Sequence, residues 1–205
     1  MPATSMYPLI LKSALVDLPG LGNQQQIVTA AIREAVRRFL LRSEAWQYKL
    51  TALDLTADTV AYTITPDAYE ADIRRILSVR ILTEQEVTDG LEGTVQDESD
   101  YEFTPPTTLT LDDSIEPQES ITDGLVVTVV LVPKVDSTVE VPEELARQWF
   151  EAIRAYTLWI LKTQTNKPWS DAAGAKLALI EVNRGVAQAR SDMARGFKVG
   201  EGLEA

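Results

Sequence analysis

Apolar residues recur at helical spacing through residues 141–197, and this stretch most limits what the chain can fold into. Large apolar side chains follow one another at intervals of three and four, which places them along one helical face. They are Leu145, Trp149, Ile153, Tyr156 and Ile160. Phe150, Leu158, Trp159 and Leu161 widen this face beyond what one partner helix covers. Such a helix is either central in its domain or part of an assembly interface.

The same stretch is predicted to contain two long helices joined by a corner. Pro142 is tolerated in a first helical turn, and no breaker follows before Lys162, so the first helix is predicted to be continuous. Residues 166–169 (Asn-Lys-Pro-Trp) form the corner, and Ser170 is expected to cap the second helix. The less regular apolar side of the second helix comprises Leu177, Ile180, Val182, Val186 and Met193. We predict core or subunit packing for Trp149, Ile153, Tyr156, Ile160 and Trp169.

The N-terminal part contains a second helical segment. Residues 1–22 include Pro2, Pro8, Pro19, Gly20 and Gly22, which predicts an irregular arm anchored by Leu9, Ile10, Leu15 and Leu18. From Asn23 a clean helical stripe follows, formed by Val28, Ala31, Ile32, Ala35, Val36, Phe39 and Leu40. The other face of this helix bears Arg33, Arg37, Arg38 and Arg42. These arginines either pair with acids of a neighbouring subunit or are simply solvated.

The hydrophobic pattern changes from helical to alternating at Ser43. Alternation predicts about six strands before the late helices. Residues 46–55 and 60–64 are expected to pair as a hairpin, and Ile76–Leu82 to form a strand with Leu77, Val79 and Ile81 on one face. Short apolar patches follow at 101–103 and 109–111, and the run 125–132 is typical of a buried strand.

These segments predict an α+β protein in which a helical bundle contains an inserted antiparallel β-rich domain. The bundle comprises one N-terminal helix and two long C-terminal helices, because no single one of them can bury its stripe alone. The expected organisation is an N-terminal arm (1–22), a discontinuous bundle (23–45 and 141–197), a β-rich insertion (46–140) and a flexible C-terminal tail (198–205).

Composition excludes several classes of function. The chain has no Cys and no His, so it cannot build a Ser-His or Cys-His nucleophile pair, or a metal centre with thiolate or imidazole ligands. It has no glycine-rich phosphate-binding motif, and no segment approaches the roughly 20 apolar residues that a membrane span needs. A net charge of −12 argues against nonspecific attachment to nucleic acid. We therefore expect a non-enzymatic protein without metal or cofactor and without membrane contact.

Most of the negative charge lies in one region. Between Ile81 and Pro133 there are thirteen acidic residues and no Lys or Arg. Asp97-Glu98-Ser99-Asp100 has calcium-ligand chemistry but lacks the spacing of an EF-hand. Asp112-Asp113 is a possible carboxylate pair, although sequence neighbours rarely converge across a substrate. The alternative function is therefore a carboxylate-dependent enzyme or a carbohydrate-binding module in this region.

The order of segments resembles the head-to-tail adaptor (connector) proteins of tailed bacteriophages, of the tail tubular protein A type. The shared features are an N-terminal helix leading into Trp46-Gln47-Tyr48, a strand-rich middle and a Val-Pro-Glu-Glu-Leu opening at 141–145 to a Trp-bearing helix. A Lys-Pro-Trp-Ser-Asp corner at 167–171 and an Ala189-Arg190 pair follow. The resemblance extends from about Asn23 to Gly196 and includes no catalytic residue.

What the resemblance implies is a structural protein of the virion neck, made in the host cytoplasm. Such adaptors form a ring, commonly of about twelve copies, that docks below the portal and continues the DNA channel to the tail. The implied partners are further copies, the portal protein, a downstream tail or nozzle protein, and double-stranded DNA that passes without specific binding. The implied portal-docking residues are Arg190, Arg195, Phe197 and Lys198.

Overall fold

The computed structural model describes residues 3–18, 21, 24–66, 69–135 and 140–195. Helices and antiparallel sheets are both present, which confirms the predicted α+β class. The chain divides into a helical unit, Met1–Trp46 with Val132–Ala205, and a β-rich unit, Gln47–Leu131. The chain thus returns to the helical unit at Val132, whereas the sequence pattern placed that boundary after residue 140.

Long helices lie towards both ends of the chain, and most of the strands lie between them. The helices are α1 (Met6–Asp17), α2 (Gln25–Ser43), α3 (Glu84–Asp89), α4 (Glu143–Gln148), α5 (Phe150–Lys162) and α6 (Ala172–Ala194). The strands are β1 (Ala3–Ser5), β2 (Gln47–Lys49), β3 (Leu53–Leu55), β4 (Ala61–Thr63), β5 (Ala71–Ile81), β6 (Thr94–Val95), β7 (Tyr101–Thr104), β8 (Thr108–Leu111), β9 (Ile121–Pro133) and β10 (Glu140–Pro142). None of the described helices combines the length and apolarity required to span a bilayer.

The predicted irregular arm is wrong for most of its length, because α1 occupies Met6–Asp17. Met6, Ile10 and Ala14 recur every fourth residue and are fully buried, which is the spacing of one helical face. Pro8 lies in the first turn of the helix, where a backbone N–H has no intrahelical acceptor, so the N–H that proline lacks is not needed there. The proline and glycine count therefore obscured a helical pattern. The arm also pairs with the later chain, since β1 and β10 form an antiparallel ribbon.

Helix α2 buries the stripe that the sequence predicts. All seven of its predicted apolar residues, from Val28 to Leu40, are buried. The predicted start at Asn23 lies outside the described residues, and the described helix begins at Gln25. The helix ends at Ser43, and its C-cap, Glu44, adopts a left-handed conformation (φ 54°) although it is not a glycine.

The late helical stretch is broken at Trp149, contrary to the prediction of one continuous helix to Lys162. Trp149 has φ −107° and ψ 12°, outside helical values, and separates α4 from α5. Hydrogen bonds still cross the break, from Trp149 N–H to the Leu145 carbonyl and from Ile153 N–H to the Trp149 carbonyl. The Trp149 ring packs against Phe39 of α2 with centroids 5.9 Å apart. The break therefore accompanies tertiary packing, since neither proline nor glycine is present.

Helix α5 is central in the helical unit and packs against α1, α2, α4 and α6. Its contact with α6 includes a close approach between Ala152 and Gly185. A Cβ atom at Gly185 would overlap the Cβ of Ala152 and lie 3.4 Å from its Cα. The absence of a side chain at this position allows the two helices to approach closely.

The β-rich unit contains two sheets. In the larger one β9 pairs with β2 and β3, and the strand order continues through β5 to β6. In the smaller one β8 lies between β4 and β7. The predicted hairpin between 46–55 and 60–64 is therefore wrong, because β2 and β3 pair with β9 while β4 pairs with β8. Alternation shows that a segment is extended, but it does not identify its pairing partner.

The long strands differ in how well the sequence predicts them. The buried strand predicted at 125–132 is confirmed as part of β9. Strand β5 begins at Ala71 rather than at Ile76, and of the predicted face Leu77, Val79 and Ile81 only Val79 is buried. Buried Ile73 and Ile76 are three residues apart, so the alternation shifts within the strand.

We predict that Gly185→Ala destabilises the protein. In an open helical position this change would stabilise by about 0.5–1 kcal/mol through backbone entropy. Overlap with Ala152 should reverse the sign and cost about 1–3 kcal/mol. Chemical denaturation measures the difference, and Arg184→Ala, the exposed neighbouring position, serves as the control with a change near zero. A stabilised Gly185→Ala variant would contradict the close approach of α5 and α6.

Candidate functional site

A groove of about 690 Å³ lies between α5 and α6 in the helical unit. Ala152 and Gly185, which lie close to each other across the two helices, both line it. Leu158 of α5 is half-buried there, whereas Leu177 and Ile180 of α6 are 66% and 61% exposed. The groove therefore combines a narrow base of small residues with large apolar side chains that nothing covers within the described chain.

Helix α6 has two apolar stripes on roughly opposite faces. Ala175, Val182, Val186 and Ala189 are buried, whereas Leu177 and Ile180 point the other way at a spacing of three. The sequence pattern placed Leu177, Ile180, Val182, Val186 and Met193 on one irregular side, which the structure corrects. The irregular spacing was the available sequence signal for two stripes. These apolar residues do not follow the spacing of a single helical face, but they do follow that of two separate faces.

Charged residues of both signs surround the groove. Arg154 Nη1 lies 3.1 Å from Glu151 Oε2 on α5, and Lys162 Nζ lies 3.2 Å from Asp171 Oδ2 at the corner. Glu181 and Arg184 are exposed on α6. An apolar centre with a mixed charged rim is typical of a protein–protein interface rather than of a site for one charged ligand.

The residues predicted for core or subunit packing are mostly inside the helical unit. Trp149, Ile153, Tyr156 and Trp169 are buried in the single chain, and Ile160 is half-buried. Trp149 also lines the groove, and its indole Nε1 is buried without a hydrogen-bond partner in the described part of the chain. These side chains therefore contribute mainly to the core of the helical unit, and any contact with another copy remains a prediction.

The predicted portal-docking residues are only partly described. Arg190 is exposed, and its Nε donates a 2.6 Å hydrogen bond to the Arg42 carbonyl at the C-terminal end of α2. This contact ties α6 to α2 and places a cation where the helix dipole is negative. Arg195 is exposed at the C-terminal end of α6. Phe197, Lys198 and the predicted tail 198–205 lie outside the described residues.

The corner between α5 and α6 is held by polar contacts. Asn166 adopts a left-handed conformation (φ 59°), which asparagine tolerates well. The Trp169 indole donates to Gln164 Oε1 at 3.3 Å. Asp171, not Ser170 as predicted, is the N-cap of α6, because its Oδ1 accepts from the Gly174 N–H at 2.9 Å. That hydrogen bond and the one from Lys162 lower the pKa of the Asp171 carboxyl below its ordinary value of 3.8.

Two of the acidic residues considered for catalysis or metal binding, Asp100 and Asp112, have local structural roles. Asp112 Oδ1 accepts a 2.9 Å hydrogen bond from the Ser114 N–H, which lowers the pKa of the Asp112 carboxyl. A general acid requires a raised pKa, so this environment favours the opposite. Asp100 Oδ2 accepts from the Asp97 N–H at 3.0 Å and closes the acidic turn. Within the described ranges no three acidic residues are grouped so that they could hold a metal ion.

The two units differ sharply in charge. The β-rich unit contains 18 acidic and four basic residues, a net charge of −14. The helical unit contains 13 acidic and 15 basic residues, a net charge of +2. The overall charge of −12 is therefore confined to the β-rich unit, while the helical unit is close to neutral.

Comparisons with known proteins give structural likenesses but no family. No protein-family model matches the chain, and no curated protein matches its sequence. Among solved structures, a chain from the neck of an empty GTA particle, computed with C6 symmetry, matches with a TM-score of 0.30 and 12% identity. The match covers 90% of this chain and 95% of that one. At this TM-score the likeness carries no argument about the fold or function of this chain.

We predict that the Asp171 cap stabilises the protein in a pH-dependent way. The pKa of Asp171 is lowered by folding, so its contribution is complete well above pH 3.8 and is lost as the pH falls through the lower folded-state pKa. Asp171→Ala should reduce the Tm by a few degrees at pH 7 and by progressively less below about pH 4.

Asp171→Asn is the matched control, because asparagine also caps helices but does not titrate. Thermal melts of the three proteins from about pH 2 to pH 7 measure the effect. A difference between wild type and Asp171→Ala that is constant across this range would contradict the charged-cap assignment.

Proposed function

We propose that the chain is a structural head-to-tail adaptor of a tailed bacteriophage. Copies of it form a ring below the portal in the virion neck, join the DNA-filled capsid to the tail and continue the DNA channel. In this role the protein is not an enzyme and needs no cofactor. The protein acts by assembling with other proteins, so its functional surfaces are those that contact other copies, the portal and the tail.

The observation on which this proposal rests is the uncovered apolar stripe of α6 beside the α5–α6 groove. Leu177 and Ile180 are large, apolar and mostly exposed, although the opposite face of the same helix is buried. Covering each of them would contribute about 1.5–3 kcal/mol. The mixed charges around the groove suit another protein surface, and we infer that a second copy of the chain covers it.

The segment order supports the same role. A helix, a strand-rich middle, a Trp-bearing helix and a Lys-Pro-Trp-Ser-Asp corner occur here in the order that resembles head-to-tail adaptors. The structural elements follow this order, from α2 through β2–β9 to α5 and α6. The portal would be met by the C-terminal segment that includes Arg190, Arg195, Phe197 and Lys198, and a downstream tail or nozzle protein by the β-rich unit.

The charge distribution supports passage of DNA without specific binding. A surface with a net charge of −14 repels phosphate, so the β-rich unit is suited to face a channel through which DNA moves freely. The alternative, a carboxylate-dependent enzyme or carbohydrate-binding module in the acidic region, gains no support from Asp112, whose lowered pKa is opposite to that of a general acid.

Substitutions on the exposed stripe test the assembly role. We expect Leu177→Glu with Ile180→Glu to prevent self-association and leave the Tm nearly unchanged, because both side chains are already solvated in the single chain. Sedimentation velocity over a range of concentrations measures the mass. Lys176→Glu, an exposed position on the same helix, is the charge-matched control and should assemble as wild type. A double variant that assembles normally would place the interface elsewhere.

A truncation tests portal docking. Removing residues 196–205, which include Phe197 and Lys198, should weaken co-sedimentation with the portal protein of the same virus. The Tm should be unchanged, because α6 and the Arg190 contact with α2 are retained. Negative-stain images of wild type mixed with portal should show an added ring. Co-sedimentation of the truncated chain that is as strong as that of wild type would argue against a docking role for the removed segment. Turnover of a small molecule that is lost in Asp112→Asn would favour the alternative function.

A further inference from the structure

The outer face of α2 bears four arginines, and two of them contact a partner side chain within the described chain. Arg38 forms an ion pair with Glu34 one turn away on the same helix. Arg42 Nη2 donates a 2.9 Å hydrogen bond to Asn183 Oδ1 of α6. Arg33 and Arg37 form no ion pair with any described residue. The sequence left two alternatives for the arginines of this helix, pairing with acids of another subunit or simple solvation. The choice between them therefore concerns Arg33 and Arg37.

Arg33 and Arg37 line a cleft of about 230 Å³ between α2 and the segment that follows β9. Lys134 and Val135 form the opposite side, and Val135 is 63% exposed. Arg33 and Arg37 are four residues apart, a spacing at which like charges on a helix repel each other. Arg37 Nε is buried and has no hydrogen-bond partner within the described chain. The cleft is thus a cationic site whose guanidinium donors are not all satisfied.

The described lining of the cleft offers little compensation for this charge. Among the described residues that line it beside Arg33 and Arg37, Glu34 is the one acid. Glu34 is already engaged by Arg38. A bound anionic group would remove the repulsion between the arginines and supply the acceptor that Arg37 Nε lacks.

We propose that this cleft binds carboxylates from the β-rich unit of a second copy of the chain. The proposal deepens the proposed function, because it names a contact that would join neighbouring copies in the ring. The β-rich unit has a net charge of −14 and thus offers many carboxylates, whose planar oxygens match the paired N–H groups of a guanidinium. The cleft belongs to the near-neutral helical unit, so the two surfaces are complementary in charge.

The cleft suits a protein segment better than a phosphate backbone. Exposed Ala30 and Val135 add apolar surface beside the cations, which a peptide covers and a phosphate chain does not. Because the cleft and its partner surface are different parts of the chain, the contact is head-to-tail, which is the kind of contact that closes into a ring.

Charge reversal tests the contact on the full chain. We expect Arg33→Glu with Arg37→Glu to raise the dissociation constant for self-association about 100-fold or more, because carboxylates would then face carboxylates. Lys12→Glu with Lys176→Glu changes the same net charge at positions outside the cleft and should assemble as wild type. Raising the salt from about 50 mM to 500 mM should weaken wild-type assembly and have less effect on the reversed variant. Circular dichroism and the Tm establish that each variant is folded.

Cross-linking identifies the partner surface independently of the variants. Carbodiimide joins a lysine to a carboxylate in direct contact, and Lys134 lines the cleft. In a mixture of ¹⁴N- and ¹⁵N-labelled chains, we expect peptides that link Lys134 of one isotope to acids in residues 47–131 of the other. These mixed-isotope links should disappear in the Arg33→Glu, Arg37→Glu variant.

Each remaining outcome overturns the proposal. Normal assembly of the reversed variant would overturn it and leave the adaptor function intact, provided that Leu177→Glu with Ile180→Glu still prevents assembly. Lys134 links confined to one isotope, or to acids of the helical unit, would overturn it as well. Loss of duplex-DNA binding without loss of assembly in the reversed variant would identify the cleft as a phosphate site. If wild type is monomeric at all concentrations, both alone and with portal, the result would contradict both the proposed cleft contact and the proposed adaptor function.

Discussion

The close approach of α5 and α6 at Ala152 and Gly185 is the constraint on which the helical unit depends. Because Gly185 has no side chain, α6 can lie close to α5, which also packs on α2. Ile153 and Tyr156 of α5 are completely or almost completely buried. The wide apolar face that the sequence predicts for this helix is therefore largely covered within one chain. What remains uncovered lies on α6, at Leu177 and Ile180.

This arrangement separates two kinds of surface that share one chain. The helical unit is close to neutral and has an exposed apolar stripe and a cationic cleft, whereas the β-rich unit holds the whole net negative charge. Apolar contact supplies affinity without strong directionality, and charge complementarity selects register and excludes wrong partners. A subunit that must meet identical neighbours and leave passing DNA unbound benefits from this separation, which is the physical basis of the proposed adaptor role.

Parts of the fold were predictable because they depend on local periodicity. The stripe of α2, the buried strand within β9 and the corner near Asn166 each follow from spacing or turn chemistry. Other parts were not. Helix α1 was obscured by prolines and glycines, although Met6, Ile10 and Ala14 have helical spacing. The break at Trp149 has no breaker residue and accompanies packing on Phe39, and the pairing of β2 and β3 with β9 is non-local.

The sequence by itself determined the class of fold, the catalytic chemistries that are closed to a chain without His or Cys, and the concentration of acids in the middle of the chain. Only the tertiary structure decided which apolar residues of α6 stay outside the core, since its two apolar stripes are indistinguishable until packing in the helical unit buries one of them. It also decided which arginines are already paired, because Arg42 meets Asn183 across two helices that are distant in sequence. Periodicity records what each residue prefers, whereas exposure and pairing depend on neighbours that only the folded chain provides.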